Sequence, residues 1–231
     1  MQDLFCTGIQ FNVFFNNYAE IRNYANRFEQ SLKEIFPNGF VVFPAGPVPP
    51  IVPKFASPND NSVEYALTVT GESANITRSN LSDETDIQKY LNEFKKYVDI
   101  FYNELLHVLP DKKILFCGVT LSLKYAPEAD FDATQFIKQQ FIKLNEIENL
   151  YDVSTRLTYV ENNEFYVNIA ISNIRNQEFR SDSIAIQMDI NDRYRFNINK
   201  DSWSKENIQE DLFDLLLKEV DNKLTKLLVN D

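Results

Sequence analysis

The chain has 231 residues, 34 acidic against 23 basic side chains, one histidine and a formal net charge of −11. Hydrophobic residues make up 44% of it, with 19 Phe and 11 Tyr, so it can build a packed core and global disorder is excluded. The acidic balance argues against a phosphate backbone as partner, because such binding needs clustered Lys and Arg and here only Lys95-Lys96 and Lys112-Lys113 are adjacent lysines.

The length suits one large domain or two of roughly 100–120 residues. No apolar run reaches the ~20 residues that span a bilayer. Met1-Gln2-Asp3-Leu4 lacks the basic start of a secretory signal, and the two cysteines, Cys6 and Cys117, sit in apolar strand-like runs. The expectation is a cytoplasmic protein with reduced, buried thiols and no disulfide framework.

Residues 5–15 alternate: Phe5, Ile9, Phe11, Val13 and Phe15 share one face, with Gln10 and Asn12 on the other. Period two marks a half-buried strand. Asn17 and Glu20 resemble a capping box for a helix carrying Ile21, Tyr24, Phe28, Leu32 and Ile35, which Pro37-Asn38-Gly39 stops. A short strand at 40–43 precedes five prolines within residues 44–53, a stretch restricted to extended or edge-like backbone. Residues 63–69 and 74–78 read as strands joined at Gly71-Glu72.

Ser82 or Asp83 is then the expected cap of a long helix with Ile87, Leu91, Phe94, Val98, Phe101, Leu105 and Val108 at spacings of four and three. Pro110 ends it. Leu115, Cys117, Val119, Leu121, Leu123 and Tyr125 mark a strand. Phe136, Ile137, Phe141, Leu144 and Ile147 suggest a helix capped near Asp130 or Asp132. Residues 153–160 and 165–174 read as a hairpin across Glu161-Asn162-Asn163-Glu164, since Asn tolerates the positive φ of tight turns. Ile184, Ile186, Met188 and Ile190 mark a strand, with Tyr194, Phe196 and Ile198 continuing it by their alternation. A last helix over 204–229 carries Ile208, Leu212, Leu215, Leu216, Val220, Leu224 and Leu227.

Residues 1–110 and 111–231 therefore share one plan. The predicted fold is α+β, with two pseudo-repeated β-α-β-β-β-α halves and mainly antiparallel sheets with helices packed on one face. Phe5-Cys6-Thr7-Gly8-Ile9-Gln10-Phe11-Asn12-Val13 matches Phe116-Cys117-Gly118-Val119-Thr120-Leu121-Ser122-Leu123 once the glycines are aligned. Duplication and the general likeness of alternating strands both account for the match.

Chemistry-bearing motifs are sparse. None of the five glycines fits a phosphate-binding loop. His107 reads as an acid–base group or as a helix-end histidine, with no Ser or Cys triad motif beside it. One His and two separated Cys do not make a zinc site. Asp189, Asp192 and Asp201 are the sparse candidates for Mg²⁺ or Ca²⁺, while Asp83, Glu84 and Asp86 suit a helix start. No cofactor is expected.

The order of features resembles a sporadically distributed bacterial family of unknown function. The residues that carry the resemblance are Val48-Pro49-Pro50-Ile51-Val52-Pro53-Lys54-Phe55, the strand at 116–125, and Ser183-Ile184-Ala185-Ile186-Gln187-Met188-Asp189-Ile190. Lys124-Tyr125 stands where that family often has Arg-Tyr. The resemblance implies a bacterial or phage accessory protein linked to mobile or defence loci, and it brings no established catalytic residues.

The functional expectation is a non-enzymatic protein that self-associates or binds a protein partner. Its expected interface is Tyr90, Phe94, Tyr97, Phe101 and Tyr102 on the long helix, with Pro49, Pro50, Ile51 and Pro53. The alternatives are a small-ligand or nucleotide binder with a pocket at residues 110–113, and a divalent-metal hydrolase using Asp189 and Asp192.

Overall fold

The computed structural model describes residues 3–44, 49–54, 63–112, 114–127, 130–142, 150–198 and 203–228. Nine strands form one sheet: β1 (Leu4–Phe15), β2 (Phe40–Val42), β3 (Ile51–Pro53), β4 (Val63–Val69), β5 (Ser73–Glu84), β6 (Ile114–Tyr125), β7 (Ser154–Glu161), β8 (Phe165–Arg175) and β9 (Ser181–Asn191). Their order is β2-β3-β4-β5-β1-β6-β9-β8-β7, and every neighbouring pair is antiparallel. The fold is α+β.

The opening strands of the two halves lie side by side at the centre. β1 pairs with β6 on one edge and with β5, the last strand of its own half, on the other; β6 pairs with β1 and with β9. The pairing is symmetric under a shift of 110 residues: Gly8 faces Ser122 while Gly118 faces Asn12, and Gln10 faces Thr120 on the axis itself. A Cβ at Gly118 would lie 3.0 Å from Asn191 Cβ, and one at Gly8 would lie 3.4 Å from the Arg78 carbonyl oxygen. Both glycines therefore sit where a neighbouring strand approaches closely. The symmetry breaks beyond Gly8, where a bulge at Cys6 shifts the register against both neighbours.

Strand alternation sends Ile9, Phe11, Val13, Cys117, Val119, Leu121 and Leu123 to one face, where they are buried. That face is covered by α1 (Ala25–Ser31), α2 (Ile87–Val108), α3 (Ala133–Ile137) and α5 (Ile208–Glu219), the last running through a π-helical turn, Val220–Leu224, into α6 (Thr225–Leu228). One continuous core runs through both halves. Phe213 of α5 lies 6.5 Å from Phe11 of β1 and 6.1 Å from Phe94 of α2, and Tyr102 packs edge-on against Phe11 at 6.0 Å.

Several local expectations shift. A 3-10 segment, Ala19–Tyr24, precedes α1, and the Asn17 amide donates to Glu72 rather than capping a helix. Strand β5 runs on to Glu84, so α2 is capped later: Asp86 Oδ1 accepts the Lys89 N–H at 2.9 Å. The side chains of Ser82 and Asp83 lie outside the described set. Asp132 caps α3 by accepting the Gln135 N–H at 3.0 Å, while Leu144 and Ile147 are outside the described residues. The proline-rich stretch supplies an extra strand: Pro53 faces Phe40, and Ile51 links to Val69. Asn162 and Asn163 take φ of 54° and 55°, as the β7–β8 turn requires. The last helix begins at Ile208 rather than near 204, and Val229 lies outside the described residues.

The largest departure follows β9. Tyr194, Phe196 and Ile198 do not extend the strand; they lie on a short helix, α4 (Arg193–Ile198). Asp192 holds the chain at the end of β6, and Asn191 Oδ1 accepts the Arg193 N–H, so the backbone turns there. No helix among the described residues is long and apolar enough to cross a membrane.

Candidate functional site: the uncovered face of the sheet

Among the described residues no long helix covers the second face of the sheet, and the antiparallel registers set its side chains in rows. One row crosses seven strands as Ala66, Thr77, Gln10, Thr120, Asp189, Asn168 and Thr158. The next row on one side holds Asn75, Asn12, Gly118, Asn191 and Tyr166; on the other side it holds Ser79, Gly8, Ser122, Gln187, Ala170 and Arg156. Among the described strand residues from β4 to β7 the charged side chains on this face are Glu64, Asp189, Lys124 and Arg156, and Arg193 of α4 adds a fifth at its aromatic end. The net charge of −11 therefore resides elsewhere.

The middle of the long row is a hydrogen-bonded chain across four strands. Thr158 Oγ1 donates to Asn168 Oδ1 at 2.9 Å, and Asn168 Nδ2 donates to Asp189 Oδ2 at 2.8 Å. Thr120 Oγ1 donates to Asp189 Oδ1 at 3.1 Å, and Asn191 Nδ2 adds a second bond to Oδ2 at 2.9 Å. Asn168 is only 9% exposed, so this array is fixed by packing as well as by bonding. Beside it, small Ala170 leaves a cavity of about 190 Å³ walled by Thr120, Asn168, Asp189, Gln187 and Arg156.

One end of the face is aromatic. Phe14 and Phe116 stack at 4.4 Å, Phe196 of α4 lies 6.0 Å from Phe116, and the Arg193 guanidinium sits 5.4 Å from the Phe116 ring. Phe14 is 37% exposed and Ile198, at the end of α4, 67%.

The residues expected on an interface fall elsewhere. Tyr90, Phe94, Phe101 and Tyr102 are buried within the chain's own core, because α2 is gripped by the sheet, by α1 and by α5 together. Ile51 is buried as well, and Pro49, Pro50 and Pro53 are half-buried. Tyr97 is half-buried; its hydroxyl donates to Glu34 at 2.7 Å and its ring packs on Tyr65. Burial, then the Glu34 carboxylate, pushes its phenol up to about 12. His107 is exposed, with Nδ1 2.7 Å from the Asn103 carbonyl oxygen one turn back, which is helix-end bonding.

Asp189 and Asp192 do not converge. Asp189 belongs to the uncovered face, whereas Asp192 is buried at the end of β6. Its Oδ1 accepts the Cys117 N–H at 2.7 Å and its Oδ2 accepts the Ser204 hydroxyl at 2.8 Å. Asp201 is outside the described residues. Among the described residues no group of three or more His, Cys, Asp or Glu side chains is placed to hold a metal ion. Both cysteines are buried free thiols, and burial pushes Cys6 up to about 12.

Burial also raises the Asp192 carboxyl above the ordinary aspartate range, against the opposing pull of its bonds from Cys117 and Ser204. Because the folded value exceeds the unfolded one, its stabilising contribution is complete below the unfolded value of about 3.9 and fades as pH climbs through the folded value. Asp192→Asn, neutral at every pH, isolates the effect. Urea midpoints are expected to move in favour of the variant, relative to the parent, as pH rises above the ordinary aspartate range.

No family model, curated protein or solved structure matches this chain.

Proposed function

We propose that this protein is a non-enzymatic interaction protein that self-associates through the aromatic end of its uncovered sheet face. The carrying observation is the exposed Phe14, stacked on Phe116 and flanked by Phe196, on a face with little net charge among its described residues. Apolar side chains left uncovered on a rigid sheet favour association. A locally neutral face lets two strongly acidic chains approach there at least electrostatic cost, and a two-fold contact lets one patch serve both copies. The bacterial family it resembles suggests an accessory role in a mobile or defence locus, in the cytoplasm, where Cys6 and Cys117 stay reduced. Nucleic acid is not the partner in this reading, since the face offers no cluster of cations.

Light scattering behind size exclusion tests it. The wild-type chain is expected to run as a dimer, and Phe14→Lys, with an unchanged melting temperature, as a monomer. A wild-type chain that stays monomeric as its concentration is raised removes the proposal.

A further inference from the structure

The cavity on the uncovered face holds two opposite charges that do not satisfy each other. Arg156 makes no hydrogen bond or ion pair among the described residues, although it lines the same 190 Å³ space as Asp189. The Asp189 carboxylate is held in place by Thr120, Asn168 and Asn191, yet Oδ1 takes only one of these bonds and keeps a lone pair. Gln187 adds an amide with no partner of its own among the described residues, and Ala170 forms the floor. Acceptor and donor thus stand on opposite walls of one small recess, fixed by strands β9, β8 and β7.

We infer that this recess binds a small zwitterion of the α-amino acid class. The ligand's ammonium group meets Asp189 Oδ1 and the Thr120 hydroxyl oxygen. Its carboxylate meets the Arg156 guanidinium, whose planar donors match a carboxylate in two parallel bonds, and the Gln187 amide. A lone anion would be repelled by Asp189 and a lone cation by Arg156, so the pair selects for both charges on one molecule. The volume falls below the roughly 300 Å³ at which larger ligand pockets begin, which limits the ligand to amino-acid size. The recess lies about two rows, roughly 13 Å, from the Phe14–Phe116 stack, so this site is independent of the self-association surface.

Thermal shift and titration calorimetry on the full chain test the inference, using the twenty α-amino acids and glycine betaine at up to about 10 mM, with propionate and ethylamine as single-charge probes. At least one amino acid is expected to raise the melting temperature with saturable heat, while propionate and ethylamine do neither. Arg156→Gln and Asp189→Asn are each expected to weaken that binding about tenfold or more. Ser79→Ala, on the same face in β5, is expected to leave it unchanged, and Phe14→Lys likewise, whatever that variant does to the oligomer. Arg156 is exposed, so its variant folds even where Asp189→Asn disturbs the hydrogen-bonded row. Absence of binding by every amino acid, equal binding of propionate, or binding that survives Arg156→Gln each overturns the inference.

Discussion

A Phe213→Ala chain is expected to lose about 3–5 kcal/mol of unfolding free energy, the range for deleting a buried aromatic side chain. Phe213 sits at the join of the two halves, 1% exposed, touching Phe11 of β1 and Phe94 of α2 from a helix that belongs to the second half. The void it leaves is bounded by a sheet and two helices that cannot all collapse inward. Urea denaturation followed by circular dichroism measures the loss. A decrease below about 1 kcal/mol would mean that the halves do not share one core as described.

The second large effect concerns Arg78. Its side chain is buried, lies 4.2 Å over the Tyr90 ring, and donates to the Tyr90 carbonyl at 3.1 Å and to Glu93 at 2.8 Å. The Tyr90 hydroxyl in turn donates to the Arg78 carbonyl at 3.0 Å, so three hydrogen bonds join strand β5 and helix α2 at one place. Arg78→Ala removes the stem that covers Tyr90 and opens a cavity, an expected loss of about 2–4 kcal/mol. Glu93 is half exposed and rehydrates, which keeps the loss below that of a fully buried broken pair. Arg78→Met keeps the apolar stem and is expected to recover most of that stability. If the two variants were equally destabilised in urea, charge and not packing would be the source.

How much of this was legible in the sequence depended on whether the signal was local. The β7–β8 hairpin was, because Asn162 and Asn163 advertise a positive-φ turn between two alternating runs. The equivalence of β1 and β6 was legible through Gly8 and Gly118, each at a close inter-strand approach, and aligning them gives the 110-residue shift that the observed register obeys. The role of α2 was not. Its apolar stripe is wide because three neighbours grip it, and periodicity reports the width of a stripe without saying whether the cover is internal.

The turn after β9 was hidden for a related reason. Tyr194, Phe196 and Ile198 carry a strand-like period, but Asp192 is held by Cys117, 75 residues away, and no local pattern encodes that bond. The polar row that builds the candidate site draws Thr120, Asp189, Asn168 and Thr158 from four strands. Asp189 stands out in the sequence only as a carboxylate, the other three read alone as ordinary outward-facing polar residues, and only the registers bring the four into one line.

The central pairing of β1 with β6 also sets the order in which the molecule can be completed as it leaves the ribosome. Strand β1 is made first, but one of its two edges has no occupant until residues 114–125 have been synthesised, about a hundred residues later. Throughout that interval the nascent first half presents Phe11 and Val13 beside an open row of amide and carbonyl groups, and Phe213, which packs on Phe11, arrives later still. The centre of the sheet therefore joins its most widely separated neighbours in the chain, and the newborn chain is open to mispairing longest at a strand that ends up in the middle.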